Sequence, residues 1–373
     1  MKLKVAIMTQ PLHTNYGGTL QAYALQVIVK STGAEVTTLN YQSKPKNLLR
    51  FILSVFKSLF LKRKEKFPFL SNEKIMVEKY HIAFIEKYIK RSETILSELD
   101  LIQHFNSSEY DIIIVGSDQV WRVDYSPNID NFFLNFYQGP AKKISYAASF
   151  GIDEWQFSLE KTVNIKKWLE SFDVISVRED SAVALCKQYL NLDCQHVLDP
   201  TLLLSKEHYE NLIIDIPKQD KGIFTYILDS SEEKENIVEK ISKNLELTIF
   251  NNQPIKKFKT SLFIKNENEY IYPKIEDWLV AFRDASFVVT DSFHGTVFSI
   301  IFNKPFITVA NSQRGSARFN SLLKLFNLED RLVTSIESFD QKIIYEKIQY
   351  HEINKILENE KNKSLDFILK GLN

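Results

Sequence analysis

A polar knot, Thr290-Asp291-Ser292-Phe293-His294-Gly295-Thr296, interrupts the apolar run VVTDSFHGTVFSIIFNKPFI between Val288 and Ile307. A carboxylate, hydroxyls, an imidazole and a glycine, placed where a buried strand gives way to a helix, describe an anion-handling loop. The N-terminus of such a helix offers free backbone N–H groups. Gly295 lets the backbone come close to a ligand, and Ser292 and Thr296 add hydroxyls. His294 can donate to a phosphate or carboxylate, or move a proton near neutral pH. Taken singly, each residue fits a capped helix with a satisfied histidine; the set, at this place, points to a site.

Four further stretches have chemistry in them. Asn15-Tyr16-Gly17-Gly18 precedes a helix expected from about Thr19 to Lys30, and two glycines there suit a phosphate or a close substrate approach. Neither GxGxxG nor GxxxxGK[ST] is present, and a tight turn explains the glycines equally. In VGSDQVW, Ser117 and Asp118 fall at a strand end with Trp121 one turn later, a carboxylate beside an aromatic platform that suits a sugar; alternatively Asp118 caps a helix. In SVRED, Arg178 follows an apolar strand, and its fork matches a carboxylate or phosphate; the alternative is an ion pair with Glu179 or Asp180. Arg314 and Arg318 in NSQRGSARFNSLL are two cations that could close over an anion, or else a solvated loop. The remaining histidines are scattered and Cys186 and Cys194 form no CxxC, so no metal site is expected.

The elements needed to position these groups are alternating strands and helices. A strand over residues 3–8, a helix and the strand EVTTLNY make a βαβ opening. YDIIIVGSDQVW, KISYAASFG and DVISVREDSA add strands that end in small or polar residues, and HVLDPTLLLS reads as a strand and a crossover. The pattern restarts with GIFTYILDSS and runs through SFVVTDS and KPFITVA. The expectation is an α/β protein of two Rossmann-like domains facing a cleft. The N-terminal domain spans 1–200 with a basic amphipathic insertion at about 44–70, the C-terminal domain 201–345, and a charged helical tail 346–373.

Bulk properties narrow the class. The chain has 373 residues, 44% hydrophobic and 25% charged, with 47 basic and 47 acidic side chains, so a nucleic-acid partner is not expected. Two cysteines fit a reducing cytoplasm. The start is too short in its apolar part for a signal peptide, and no run reaches the roughly 20 apolar residues of a membrane span. The segment Asn47–Phe67, NLLRFILSVFKSLFLKRKEKF, is similar to an interfacial helix followed by a basic run. The alternatives are a helix buried against the domain or an oligomer contact.

NYGGTLQAYALQ, DIIIVGSDQVW, SYAASFG, SVREDSA, LDPTLLL, TDSFHGTVFSIIFNKPFI and RGSARFNSLL, in that order from about residue 5 to 325, resemble the polysaccharide pyruvyl transferase family. The resemblance implies a GT-B-like fold, phosphoenolpyruvate as donor substrate without a cofactor, and a cyclic pyruvate ketal on a sugar diol of a surface polysaccharide precursor, with release of phosphate. It places the donor in the C-terminal half, near Ser292, Gly295, Thr296, Arg314 and Arg318. The acceptor, a sugar or lipid-linked oligosaccharide, would lie in the N-terminal half near Asn15, Tyr16, Gly17, Gly18, Ser117 and Trp121. In that scheme His294 is the general acid or phosphate ligand, Arg178 grips the donor, and Asp118 orients or deprotonates the sugar hydroxyl. Some family members carry a basic residue two positions before the knot histidine; Ser292 stands there in this chain, so Arg314 or Arg318 would supply the charge. The expected location is cytoplasmic, with peripheral contact at the inner membrane surface. Two other readings are a nucleotide-sugar glycosyltransferase on the same architecture and a non-catalytic sugar-binding component of a polysaccharide assembly complex.

Overall fold

A computed structural model describes residues 2–44, 71–123, 125–256, 266–310 and 315–373. The segment Asn47–Phe67 and Arg314 therefore lie outside the described residues.

The first unit runs β1 (Lys4–Met8), α1 (Tyr16–Ser31), β2 (Glu35–Tyr41), α2 (Ser71–Tyr88), β3 (Arg91–Ile95), α3 (Glu98–Ser107), β4 (Ile112–Asp118), β5 (Lys142–Ala148), α4 (Leu159–Leu169), β6 (Val174–Val177), α5 (Asp180–Leu185) and β7 (Gln195–His196). Its seven strands are parallel in the order β3-β2-β1-β4-β5-β6-β7. β1 and β4 are continuous apolar runs because helices cover both faces; all seven residues of β4 are buried. The glycines of the first turn are already helical: Asn15 accepts a hydrogen bond from the Gly18 N–H at 3.1 Å. That cap draws the start of α1 back to Tyr16, three residues before the position expected from periodicity.

The second unit comprises α6 (Lys206–Asn211), β8 (Lys221–Tyr226), α7 (Glu232–Leu245), β9 (Ile249–Asn251), α8 (Ile275–Asp284), β10 (Ala285–Thr290), α9 (Phe293–Ile301), β11 (Phe306–Val309), α10 (Ala317–Leu325) and β12 (Leu332–Val333). Its strands are parallel in the order β12-β11-β10-β8-β9. The last helix, α11 (Tyr350–Leu372), is more than a tail, because it packs on the first sheet. Phe367 meets Tyr146 at a ring distance of 6.2 Å, and Ser364 Oγ accepts from the Leu198 N–H at 3.0 Å.

Two parallel sheets flanked by helices are the α/β, GT-B-like architecture expected. Strand order reverses between β1 and β4 in one sheet and between β8 and β10 in the other, and crevices at the carboxyl ends of such strands are where open α/β sheets bind ligands. Aromatic rings join the halves. Tyr16 stacks on Trp278 with ring centroids 5.5 Å apart and donates to the Pro273 carbonyl at 2.9 Å.

Candidate active site

The knot and three strand-end loops of the first sheet converge on a buried charged cluster. Arg178, just beyond β6, donates through Nη1 to Asp199 Oδ2 at 2.7 Å and through Nη2 to Asp118 Oδ1 at 3.1 Å. Asp199 also lies 3.5 Å from Nε2 of His294, in the first turn of α9. Its other oxygen accepts from the Thr201 N–H at 3.0 Å and Thr201 Oγ1 at 2.7 Å, which fixes the carboxylate. Phe293 is a spacer between cations: its ring centroid lies 4.4 Å from the Arg178 guanidinium and 5.7 Å from that of Arg318, on α10. His294 reaches this place because Gly17 has no side chain; a Cβ there would strike the imidazole at Cγ and Nδ1. The knot thus meets the N-terminal glycine loop face to face across the two halves.

Opposing charge decides the electrostatics. Burial pushes the Asp118 carboxyl up, but Arg178, His294 and Arg318 outweigh it and hold it below the usual carboxylate range. Asp199 is likewise penalised by burial yet held well below that range by His294, Arg178 and the Thr201 hydroxyl. Burial, with Arg178 nearby, brings Arg318 down to about 10, which leaves it charged at neutral pH. Asp118, Asp199 and Glu179 set three buried carboxyl groups beside the two buried guanidiniums of Arg178 and Arg318.

Several expected roles need correction. The Arg178 guanidinium gives one N–H to Asp199 and one to Asp118, rather than pairing with Glu179 or Asp180, so it positions both aspartates; its Nε has no hydrogen-bond partner among the described residues. Asp118 caps no helix, and a carboxyl held low is a poor base. Trp121 is no sugar platform: it is fully buried, its indole N–H donates to the Phe132 carbonyl at 3.0 Å, and it stacks on Phe133. Tyr16 is likewise consumed in the seam between the halves.

The remaining polar positions are satisfied within the fold. Ser117 Oγ donates to the Ala147 carbonyl at 3.0 Å. Ser292 caps α9, accepting from the Gly295 N–H at 3.4 Å, and Thr296 Oγ1 bonds Thr308 Oγ1 at 2.8 Å. Gly295 lets α9 lie against Thr290, and Gly18 lies against Asn15. A groove of about 310 Å³ lined by Tyr80, Phe84, Lys87 and Lys274 shares no residue with the charged cluster. Among the described residues no group of three or more His, Cys, Asp or Glu side chains could hold a metal.

Sequence reading missed Asp199, the centre of the cluster, and Thr201. Their signal was Asp199-Pro200-Thr201 in LDPTLLL, a capping pattern whose side chain turns out to bridge an arginine and a histidine.

A comparison with curated protein sequences finds no match. Among solved structures, UDP-GlcNAc 2-epimerase from Neisseria meningitidis bound to UDP-GlcNAc is 11% identical, with 100% of this chain and 99% of that one covered and a TM-score of 0.49. The UDP-GlcNAc 2-epimerase of Methanocaldococcus jannaschii is 12% identical over 96% and 92%, TM-score 0.47. A mutant of the Thermobaculum terrenum O-GlcNAc transferase is 10% identical over 99% and 66%, TM-score 0.47. These likenesses are distant and concern the fold alone. The family profile of the polysaccharide pyruvyl transferases, by contrast, matches residues 15–313, a span that holds Gly17, Asp118, Arg178, Asp199 and His294, and the chain belongs to that family.

Proposed function

We propose that this protein transfers pyruvate from phosphoenolpyruvate to two hydroxyls of a sugar in a polysaccharide precursor, forming a cyclic ketal and releasing phosphate. The observation that carries the proposal is the continuous chain His294–Asp199–Arg178–Asp118, which joins both halves in a chain of this family. Asp199 orients the imidazole of His294, and Arg178 anchors Asp199. His294 gives a proton to the methylene carbon of the donor, leaving C2 electron-poor. One sugar hydroxyl adds to C2, the C2–O bond to phosphate breaks with its electron pair leaving on phosphate, and the second hydroxyl closes the ring. Two hydroxyl protons are released: one balances the proton delivered to the methylene carbon, and the other leaves on phosphate. Arg318 and His294 are assigned to the donor's anionic groups, position 292 being a serine. The acceptor is proposed to be carried on a membrane lipid.

Phosphate release from phosphoenolpyruvate in the presence of lipid-linked glycan, with mass spectrometry of the glycan for an added pyruvate less one water, tests this. His294→Ala should lower the rate at least a hundredfold. Activity near wild type would remove His294 from the mechanism. Thermal stabilisation by a nucleoside diphosphate but not by phosphoenolpyruvate would turn the reading towards a nucleotide-sugar enzyme.

A further inference from the structure

Any acid–base account of this reaction needs a group that takes the proton from the attacking hydroxyl, and neither aspartate of the cluster suits that task. Asp118 is committed to Arg178; Asp199 is committed to Arg178, Thr201 and His294. One more carboxylate lies beside them. Glu179, the residue before α5, has no exposed surface. Its Oε1 accepts from Ser149 Oγ at 2.8 Å and from the Gly151 N–H at 3.1 Å, while Oε2 has no hydrogen-bond partner among the described residues. An ionised carboxylate has only acceptor sites to offer, and a buried acceptor left unmatched is costly. The donor substrate brings a carboxylate and a phosphate, which are themselves acceptors and negatively charged. The acceptor sugar brings hydroxyl donors. The vacant oxygen is therefore chemically matched to the sugar and mismatched to the donor.

We infer that Glu179 is the acceptor-side catalytic residue: Oε2 receives the hydrogen bond of the attacking hydroxyl and takes its proton as the O–C2 bond forms. The carboxylic acid so formed returns that proton to the departing phosphate, so Glu179 ends each cycle as a carboxylate. This assignment rests on the pyruvyl-transfer reading above. Its surroundings hold the group in place. Ser149 and Gly151 fix one oxygen, and Glu179 directly follows Arg178, the centre of the charged cluster, in sequence. Glu179 also stands at the seam between the halves. The Gly151 backbone that it holds is packed against Gly315, and the next residue, Asp180, donates its N–H to Ser321 Oγ of α10 at 2.9 Å. Because Glu179 is fully buried, the assignment requires the halves to part along this seam for a sugar to reach Oε2.

Glu179→Gln tests the assignment, because an amide oxygen can keep both hydrogen bonds at Oε1 while the base is lost. The full chain is given phosphoenolpyruvate and a panel of methyl pyranosides with free 4,6- and 3,4-diols. Phosphate release is followed, and donor affinity is measured by calorimetry. The expected result is donor affinity within twofold of wild type and a turnover at least a hundredfold lower. Turnover within threefold of wild type overturns the assignment and leaves pyruvyl transfer standing. If the glutamine variant does not fold, Glu179→Asp takes its place: withdrawal of the carboxylate by one methylene should cost more than tenfold in turnover, and activity near wild type again overturns it. If wild type releases no phosphate with any glycoside, the pyruvyl-transfer reading is judged from the lipid-linked glycan assay above. Glu179 is then judged from saturation-transfer NMR of the same glycosides. Binding to wild type that weakens at least tenfold in the variant supports the role; equal binding to both, or none to wild type, ends it.

Discussion

The imidazole of His294 occupies room that any side chain at position 17 would need. Gly17→Ala should therefore displace His294 while leaving the sheets intact. Misplacement by about 1 Å can cost on the order of 10²-fold in rate, so a loss of that size in turnover, with a melting temperature within a few degrees of wild type, is the expected outcome of a kinetic and thermal comparison. Asp199 makes a complementary case. Removing one partner of a buried ion pair costs about 3–5 kcal/mol, so Asp199→Asn should lower stability by roughly that amount in urea unfolding at pH 7. The sign of the pH effect follows from the direction of the shifts. Asp118 and Asp199 both bind protons more weakly in the folded chain than in the unfolded one. Their stabilisation is complete above the unfolded carboxylate range, about pH 4, and is lost as pH falls through the lower folded values. Asp199→Asn should flatten this acid limb, so that its stability deficit shrinks between pH 7 and pH 3. A deficit that stays constant over that interval would show that the charge of Asp199 is not what matters.

At the scale of elements, two contacts hold the halves in register. Trp278 on α8 is fully buried, stacked on Tyr16 of α1 and packed edge-on against Tyr226, Phe282 and Phe298. Trp278→Ala should cost about 3–5 kcal/mol, the usual range for truncating a buried aromatic ring, and should weaken activity because α1 carries Gly17. Equilibrium unfolding followed by circular dichroism checks this. The return of α11 to the first sheet is subtler. Ser364→Ala deletes the acceptor for the buried Leu198 N–H, one residue before Asp199. An unpaired buried donor costs about 1–3 kcal/mol. The strain is then passed to the loop that holds Asp199, so turnover should fall along with stability. An unchanged rate in a destabilised variant would show that α11 acts on stability alone.

For the whole molecule, the proposed lipid-borne acceptor has a consequence that the basic segment makes testable. No helix among the described residues is long and apolar enough to cross a membrane. In the stretch Asn47–Phe67, Lys62, Arg63, Lys64 and Lys66 follow an apolar run, which makes it the segment to test for surface attachment. Each basic side chain near an anionic surface contributes about 1 kcal/mol, and the attraction fades within a Debye length. Flotation with anionic liposomes at low salt is expected, little with neutral ones, and a marked loss when those four residues are replaced by Gln. Absence of flotation by wild type would leave the segment to a buried or oligomeric role.

The α/β class, the two parallel sheets and the position of the knot were legible in sequence because they rest on local rules. Continuous apolar runs mark strands covered on both faces, and polar residues at their ends mark the ligand-binding edge. Gly17 and His294 were legible as residue types, a glycine and an imidazole where few alternatives would serve. The partners were not. Asp118, Arg178, Asp199 and His294 are separated by between 21 and 60 residues along the pairs that bond, or come from opposite halves, and only the approach of the two sheets brings them together. The same folding turned apparent ligands into internal contacts: Trp121 into core, Tyr16 into a seam, Ser292 into a cap. A sequence shows which groups could do chemistry, since that is a property of the side chain alone. Which of them still have a hydrogen-bonding site left to offer depends on how the buried groups pair once folded, and tertiary structure decides that.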